Sequence, residues 1–163
     1  MDFLQGEARQ QGIAAGVPVI LPSSFLGSPR NMLQNYQDAM SIVSRYGTPD
    51  VFVTLTCNPK WPEITAELQP HEKVQHRPDL VARVFHLKLT ALIDDIVKNH
   101  IFGVVVAYVF VIEFQKRGLP LVHILLILRD VDKFRDPEHV DSLISAEIPD
   151  KDENPRLYEI VTQ

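Results

Sequence analysis

Apolar residues Met32, Leu33, Tyr36, Met40 and Val43 recur at three- and four-residue spacing, which predicts an amphipathic helix with Tyr36 in its buried stripe. Ser28 before Pro29 starts that helix: a hydroxyl cap, then proline at the first helical position. Gly47 and Pro49 end it. The pattern then changes to the two-residue period of a strand over Val51–Thr56. Asn58–Pro62 reads as a loop, and a short helix is expected near Glu63–Leu68. Pro78 and Asp79 open the longest helix, with Val81, Phe85, Leu89, Leu92 and Ile96 facing inward. Asp94 and Lys98 form an exposed i,i+4 pair on it. Val104–Phe114 is the strongest strand, Gln115–Pro120 a turn, and Leu121–Leu128 the returning strand of a hairpin. Beyond it, a short helix is expected over Val140–Ala146. Ile148–Gln163 reads as an irregular tail with a strand at its end, because Pro149 and Pro155 interrupt a charged run.

Helices thus alternate with strands, and the hairpin demands at least one antiparallel pair. The expected fold class is α+β: a mainly antiparallel sheet with packed helices. Residues 1–20 read as a flexible lead-in, and residues 21–163 as the folded part. No internal repeat or low-complexity tract occurs.

Composition narrows the function classes. An apolar fraction of 45% and a charged fraction of 23% suit a soluble domain with a buried core. The one cysteine, Cys57, excludes an internal disulfide framework and a multi-cysteine zinc cluster. No apolar run approaches the ~18 residues of a membrane span, and the polar start MDFLQGEARQQG is unlike a signal peptide. An intracellular protein without a membrane partner is expected. The formal charge of −5 argues against strong non-specific nucleic-acid binding, although a local basic patch is compatible with it.

Five segments, in order, carry a family resemblance: LPSSFLGSPRNMLQNYQDAM, FVTLTCNPKWPEI, RPDLVARVFHLKL, VIEFQKRGLP and AEIPD. Together they resemble the N-terminal Rep, or helicase-like, domain of Helitron transposon proteins over roughly residues 20–163. Such domains look like relatives of HUH endonucleases. The resemblance implies a ferredoxin-like sheet, a divalent metal (Mg or Mn), single-stranded DNA as partner and a nuclear setting. It also implies a tyrosine that attacks a DNA phosphodiester during rolling-circle transfer.

The same resemblance assigns roles. Thr54, Thr56 and Asn58 fall in the strand and loop that support the family's site, and the residues alone allow an ordinary core strand. The family's metal pair is histidine–hydrophobic–histidine after Gly-Leu-Pro. Residues two apart on a strand share a face, so two imidazoles there can hold one ion. Here the segment reads Gly118, Leu119, Pro120, Leu121, Val122, His123. Leu121 replaces the first histidine, and His123 remains as a vestigial ligand. Glu113 on the preceding strand is the candidate to add a carboxylate. A histidine alone on an apolar strand is as a rule a packed or hydrogen-bonded residue instead. The family's catalytic tyrosines lie well beyond the histidine pair, so the resemblance implies a partial domain without its nucleophile. Tyr36, Tyr46, Tyr108 and Tyr158 match none of that context.

Lys116 and Arg117 in the hairpin turn are candidates for phosphate contact, and Trp61 for base stacking. Against these stand solvated turn charge and an aromatic lid on the core. No G-x-x-x-x-G-K-[ST] phosphate loop occurs, so ATP-driven unwinding has no site. The expectation is a degenerate Rep domain that does not cut DNA. The rivals are a non-catalytic single-stranded DNA-binding module, an inert transposon remnant, and an active chain served by a partner's tyrosine.

Overall fold

The computed structural model describes residues 19–163 apart from Arg117, Ser145 and Gln163. The expected lead-in therefore falls almost wholly outside the described residues. The chain forms two compact units, residues 1–42 and 43–163.

In the first unit, Ser28 is buried and works as predicted. Its hydroxyl donates to the Pro22 carbonyl at 3.1 Å and accepts the Asn31 N–H at 3.1 Å. Asn31 closes the turn by donating to the Ser23 carbonyl at 2.9 Å. Helix α1, Pro29–Tyr46, follows, crossing from the first unit into the second. Its predicted stripe exists but is not buried. Met32, Leu33, Tyr36 and Met40 are all exposed, Tyr36 by 62%. The period is correct, but no other described helix or strand lies in the first unit to cover it.

The second unit has a three-stranded antiparallel sheet: β1 (Val51–Thr56), β2 (Val105–Phe114) and β3 (Pro120–Leu128), in the order β1-β3-β2. The fold is α+β, as the pattern predicts. A four-residue helix, α2 (Pro62–Thr65), and the long helix α3 (Pro78–Val97) join β1 to β2. α2 is shorter than the helix expected over Glu63–Leu68.

The sheet's two faces differ. Val51 on β1 and Val122, Ile124, Leu126 and Leu128 on β3 form one core with Val81, Val84, Phe85, Leu89 and Ile96 of α3. Burying these apolar side chains contributes about 1.5–3 kcal/mol each before entropy is charged. The opposite face carries Phe52, Thr54 and Thr56 of β1, and Leu121, His123 and Leu125 of β3. The register sets Phe52 against Leu125, Thr54 against His123 and Thr56 against Leu121.

Side-chain staples fix the register. Asp50 accepts the Leu128 N–H at 2.8 Å, tying the start of β1 to the end of β3. Asp132 accepts the Val104 N–H at 3.1 Å and pairs with Arg129 at 3.0 Å. Gly103 must be glycine on two counts. Its φ is +101°, and a Cβ there would lie 2.7 Å from the Asp132 Cβ. In the hairpin, Gln115 N–H bonds the Leu119 carbonyl, and Gly118 takes φ +78°.

Beyond β3 the expected outline needs two corrections. Helix α4 is Pro137–Leu143 rather than Val140–Ala146. The tail read as irregular with a terminal strand holds a further helix, α5, Pro155–Thr162. One cause explains both. Each helix has proline at its first position, where the missing N–H costs nothing and the fixed φ favours helix entry. In the tail, Pro155 therefore opens a helix rather than interrupting a charged run.

Candidate functional site

The outer face of the sheet brings the predicted site residues together. Backbone pairing puts Thr54 opposite His123, and the Thr54 Oγ1 lies 2.9 Å from the His123 Nδ1. Phe52, two residues earlier on the same face, stacks on the imidazole with centroids 5.2 Å apart and planes 19° apart. His123 is thus held by a hydrogen bond to one ring nitrogen and by an aromatic face, and it is half-buried. If Nδ1–H donates to the threonine oxygen, Nε2 carries a lone pair. If the hydroxyl donates instead, Nε2 carries the proton. The first arrangement is the usual way a protein orients a single metal-ligating histidine.

Val122, between the two motif positions, is fully buried in the core, so Leu121 and His123 share the outer face. Leu121 therefore occupies the place from which a second imidazole would reach an ion bound at His123. Glu113 is exposed and lies opposite Leu121, one strand over. It shares the face but is a diagonal neighbour of His123, whose direct partner on β2 is Val111. Diagonal positions are roughly 7–8 Å apart, beyond hydrogen-bond reach without side-chain extension. Among the described residues, no group of three or more His, Cys, Asp or Glu could hold a metal ion. A divalent ion needs more donors than one imidazole and one distant carboxylate, so these residues do not fit the divalent metal that the resemblance implies.

The remaining predicted residues serve other places. Thr56 is exposed on the outer face, opposite Leu121. The Asn58 Oδ1 accepts the Lys60 N–H at 2.9 Å, closing the turn after β1. Trp61 packs against the core, and the Lys88 ammonium lies 4.9 Å from its ring centroid. Lys88 also bonds Glu63 at 2.8 Å, and that bond holds the Glu63 carboxyl below the usual carboxylate range. Trp61 is thus placed as a lid on the core, with a cation already on its ring. Lys116 is exposed in the hairpin turn, while Arg117 lies outside the described residues. Tyr108 stands opposite Leu126, on the face away from His123. Phe52 escaped the reading of the sequence, although strand alternation alone puts it on the face of Thr54 and Thr56. An aromatic residue on the polar side of a strand was the available signal.

Among the described residues, no helix is long and apolar enough to cross a membrane. No curated protein matches this sequence. One family model does match: the Helitron helicase-like domain at the N-terminus, over residues 2–126. That match covers most of the chain and includes β1, α3, β2 and most of β3. On it, this chain belongs to the Helitron helicase-like N-terminal domain family.

Proposed function

We propose that this chain is a non-cutting member of a single-stranded DNA-nicking lineage related to HUH endonucleases. One observation carries the reading: Leu121 and His123 share the outer face, so the motif is in place but offers one imidazole where the chemistry needs two. The strand order supports the lineage. β1 and β2 run parallel with β3 between them and a helix crossing over, which is the split βαβ arrangement of ferredoxin-like sheets. A lone, threonine-anchored imidazole can carry a proton but cannot draw a phosphodiester and an ion together. The experiment is incubation of a labelled single strand with the purified chain and Mg²⁺ or Mn²⁺. No cleavage is expected, and metal-dependent cleavage would overturn the proposal.

A second reading rests on Phe52, which is 61% exposed and forms a flat platform with the His123 ring. Such platforms stack unpaired bases, each worth about 1–3 kcal/mol. The face would then hold single-stranded DNA without cutting it, with Lys116 near a phosphate. The net charge of −5 keeps such binding weak and salt-sensitive. Fluorescence anisotropy of a labelled single strand across a salt series tests this. Phe52→Ala should weaken binding about 5- to 150-fold, and Lys116→Glu should flatten the salt dependence. Equal affinity for single strand and duplex would reject the platform.

A further inference from the structure

We infer that β2 is a self-association edge, at which two copies of this chain join their sheets by antiparallel β2–β2 pairing. Among the described residues β2 ends the strand order, so one side of its backbone has no sheet partner there. Its sequence, VVAYVFVIEF, is charge-free until Glu113 and contains neither lysine nor proline. Edge strands of soluble proteins are normally short, charged or interrupted, and a long apolar edge is a template for another strand.

The side chains agree with the backbone. Tyr108, Phe110, Ile112 and Phe114 pair with Leu126, Ile124, Val122 and Pro120, so they lie on the face that is fully buried at β3. On β2 they are 37%, 43%, 40% and 66% exposed. The Tyr108 and Phe110 rings are nearly parallel, 6.4 Å apart, and extend the core surface to the sheet's edge.

The hydrogen-bond phase selects the pairing. Gln115 N–H bonds Leu119 across the hairpin, so Glu113, Val111 and Val109 turn their polar backbone groups toward β3. Tyr108, Phe110, Ile112 and Phe114 turn theirs outward. The pairing slips between Val105 and Ala107, which leaves the stretch after Ala107 regular. A twofold axis at Val111 uses that whole stretch. It sets Tyr108 against Phe114 of the second copy, Phe110 against Ile112, and Val111 against itself. Each Glu113 then meets Val109, so no like charges are opposed.

The area suffices for a modest dimer. At 150–250 Å² for a whole aromatic side chain, the exposed parts of these residues and Val111 come to roughly 450 Å² per copy. The side chains of the pair bury about 900 Å², and the edge backbone brings the total to roughly the 1,000 Å² at which weak, transient association begins. An interface of that size belongs with weak associations, so a Kd in the micromolar range or weaker is expected. A twofold pairing closes on itself and stops at two copies.

Sedimentation of the full chain from 1 to 200 µM tests the inference. A reversible monomer–dimer equilibrium is expected. Val111→Lys, at an exposed outer-face position, places two ammonium groups directly opposite. It should weaken the dimer more than about 10-fold while leaving the circular dichroism spectrum unchanged. Val111→Cys should form an intermolecular disulfide on mild oxidation, because directly opposed non-hydrogen-bonded residues have Cα atoms about 4.5 Å apart. The inference is overturned by a monomer throughout the range. A dimer indifferent to Val111→Lys, or growth beyond two copies, overturns it equally. A monomer in which the Phe110 and Ile112 amides are strongly protected from exchange would show that the chain covers this edge itself.

Discussion

Leu121→His supplies the second imidazole that the proposed reading requires and measures whether residues 121 and 123 can hold an ion together. On β3 the Cα atoms of residues 121 and 123 are about 6.6–6.8 Å apart, and both side chains project from the outer face. Two imidazoles at that spacing can converge on one ion at about 2.0–2.1 Å. His123 needs little reorganisation, since the Thr54 bond at 2.9 Å and the Phe52 stack already set its ring. Even outer-shell partners of a metal site change affinity about 10- to 100-fold, and a direct ligand should contribute at least that. The expected gain is therefore at least 10-fold, or about 1.4 kcal/mol. Leu121 is half-buried, so losing its apolar contact should destabilise the fold by only about 1 kcal/mol. Isothermal titration with Zn²⁺, the ion best suited to imidazole, reads the affinity, with Mn²⁺ as the oxygen-preferring comparison. The control is the same substitution combined with His123→Ala, which should abolish the gain. Equal Zn²⁺ affinity in wild type and Leu121→His, with the fold intact, would refute the argument that residues 121 and 123 form one ligand pair.

Three further outcomes test the fold beneath the site. Ile124→Ala empties a fully buried position on the central strand and should cost about 2–5 kcal/mol, read as a shift in urea midpoint at unchanged m-value. Gly103→Ala should destabilise by about 1–3 kcal/mol, because its φ is +101° and Asp132 occupies the space. The third outcome concerns acid. The Val104 N–H, and then Arg129, hold the Asp132 carboxyl below its ordinary range. Stability from that depressed group is fully present above the unfolded carboxylate range near pH 4 and is lost as pH falls through the folded value. Melting from pH 6 to pH 2 should therefore show a shallower decline for Asp132→Asn than for wild type, and parallel curves would remove Asp132 as a contributor.

Which parts of the chain could be read in advance follows from how local their causes are. β1, α3 and the β2–β3 hairpin each carry a clean period or a turn signal within one segment, and each appears where expected. The Ser28 cap and the Asp94–Lys98 pair, at 2.8 Å, are also local and also present. Tyr36 shows the limit, since a helical period says which side is apolar but not whether anything covers it. Pro137 and Pro155 show a second limit, since proline at a first helical position and proline in a broken loop look alike without the residues that follow in space. At the site, alternation put Thr54 and Thr56 on one face, but the Thr54–His123 bond joins residues 69 apart in sequence. Only strand register reveals it, and register depends on pairing that a single strand does not specify.

On the proposed reading, the same register explains how leucine can stand in place of a ligand at position 121 with little effect on the fold. Strand geometry divides β3 into two independent sets of positions. Val122, Ile124 and Leu126 face α3 and form the core, whereas Leu121 and His123 face the other way. A change at position 121 leaves every core contact in place and puts an apolar side chain between Thr56 and Glu113 on the outer face, so folding does not select against it. A change at position 122 would open a cavity under α3 and cost several kcal/mol. The chemical half of the motif is thus mutable while its structural half is constrained by packing. On the proposed reading, a sheet of this construction goes on folding whether or not position 121 carries an imidazole. Stability measurements alone would then not separate a chain with the proposed ligand pair from one without it. The identity of residue 121 and the ion affinity it confers would.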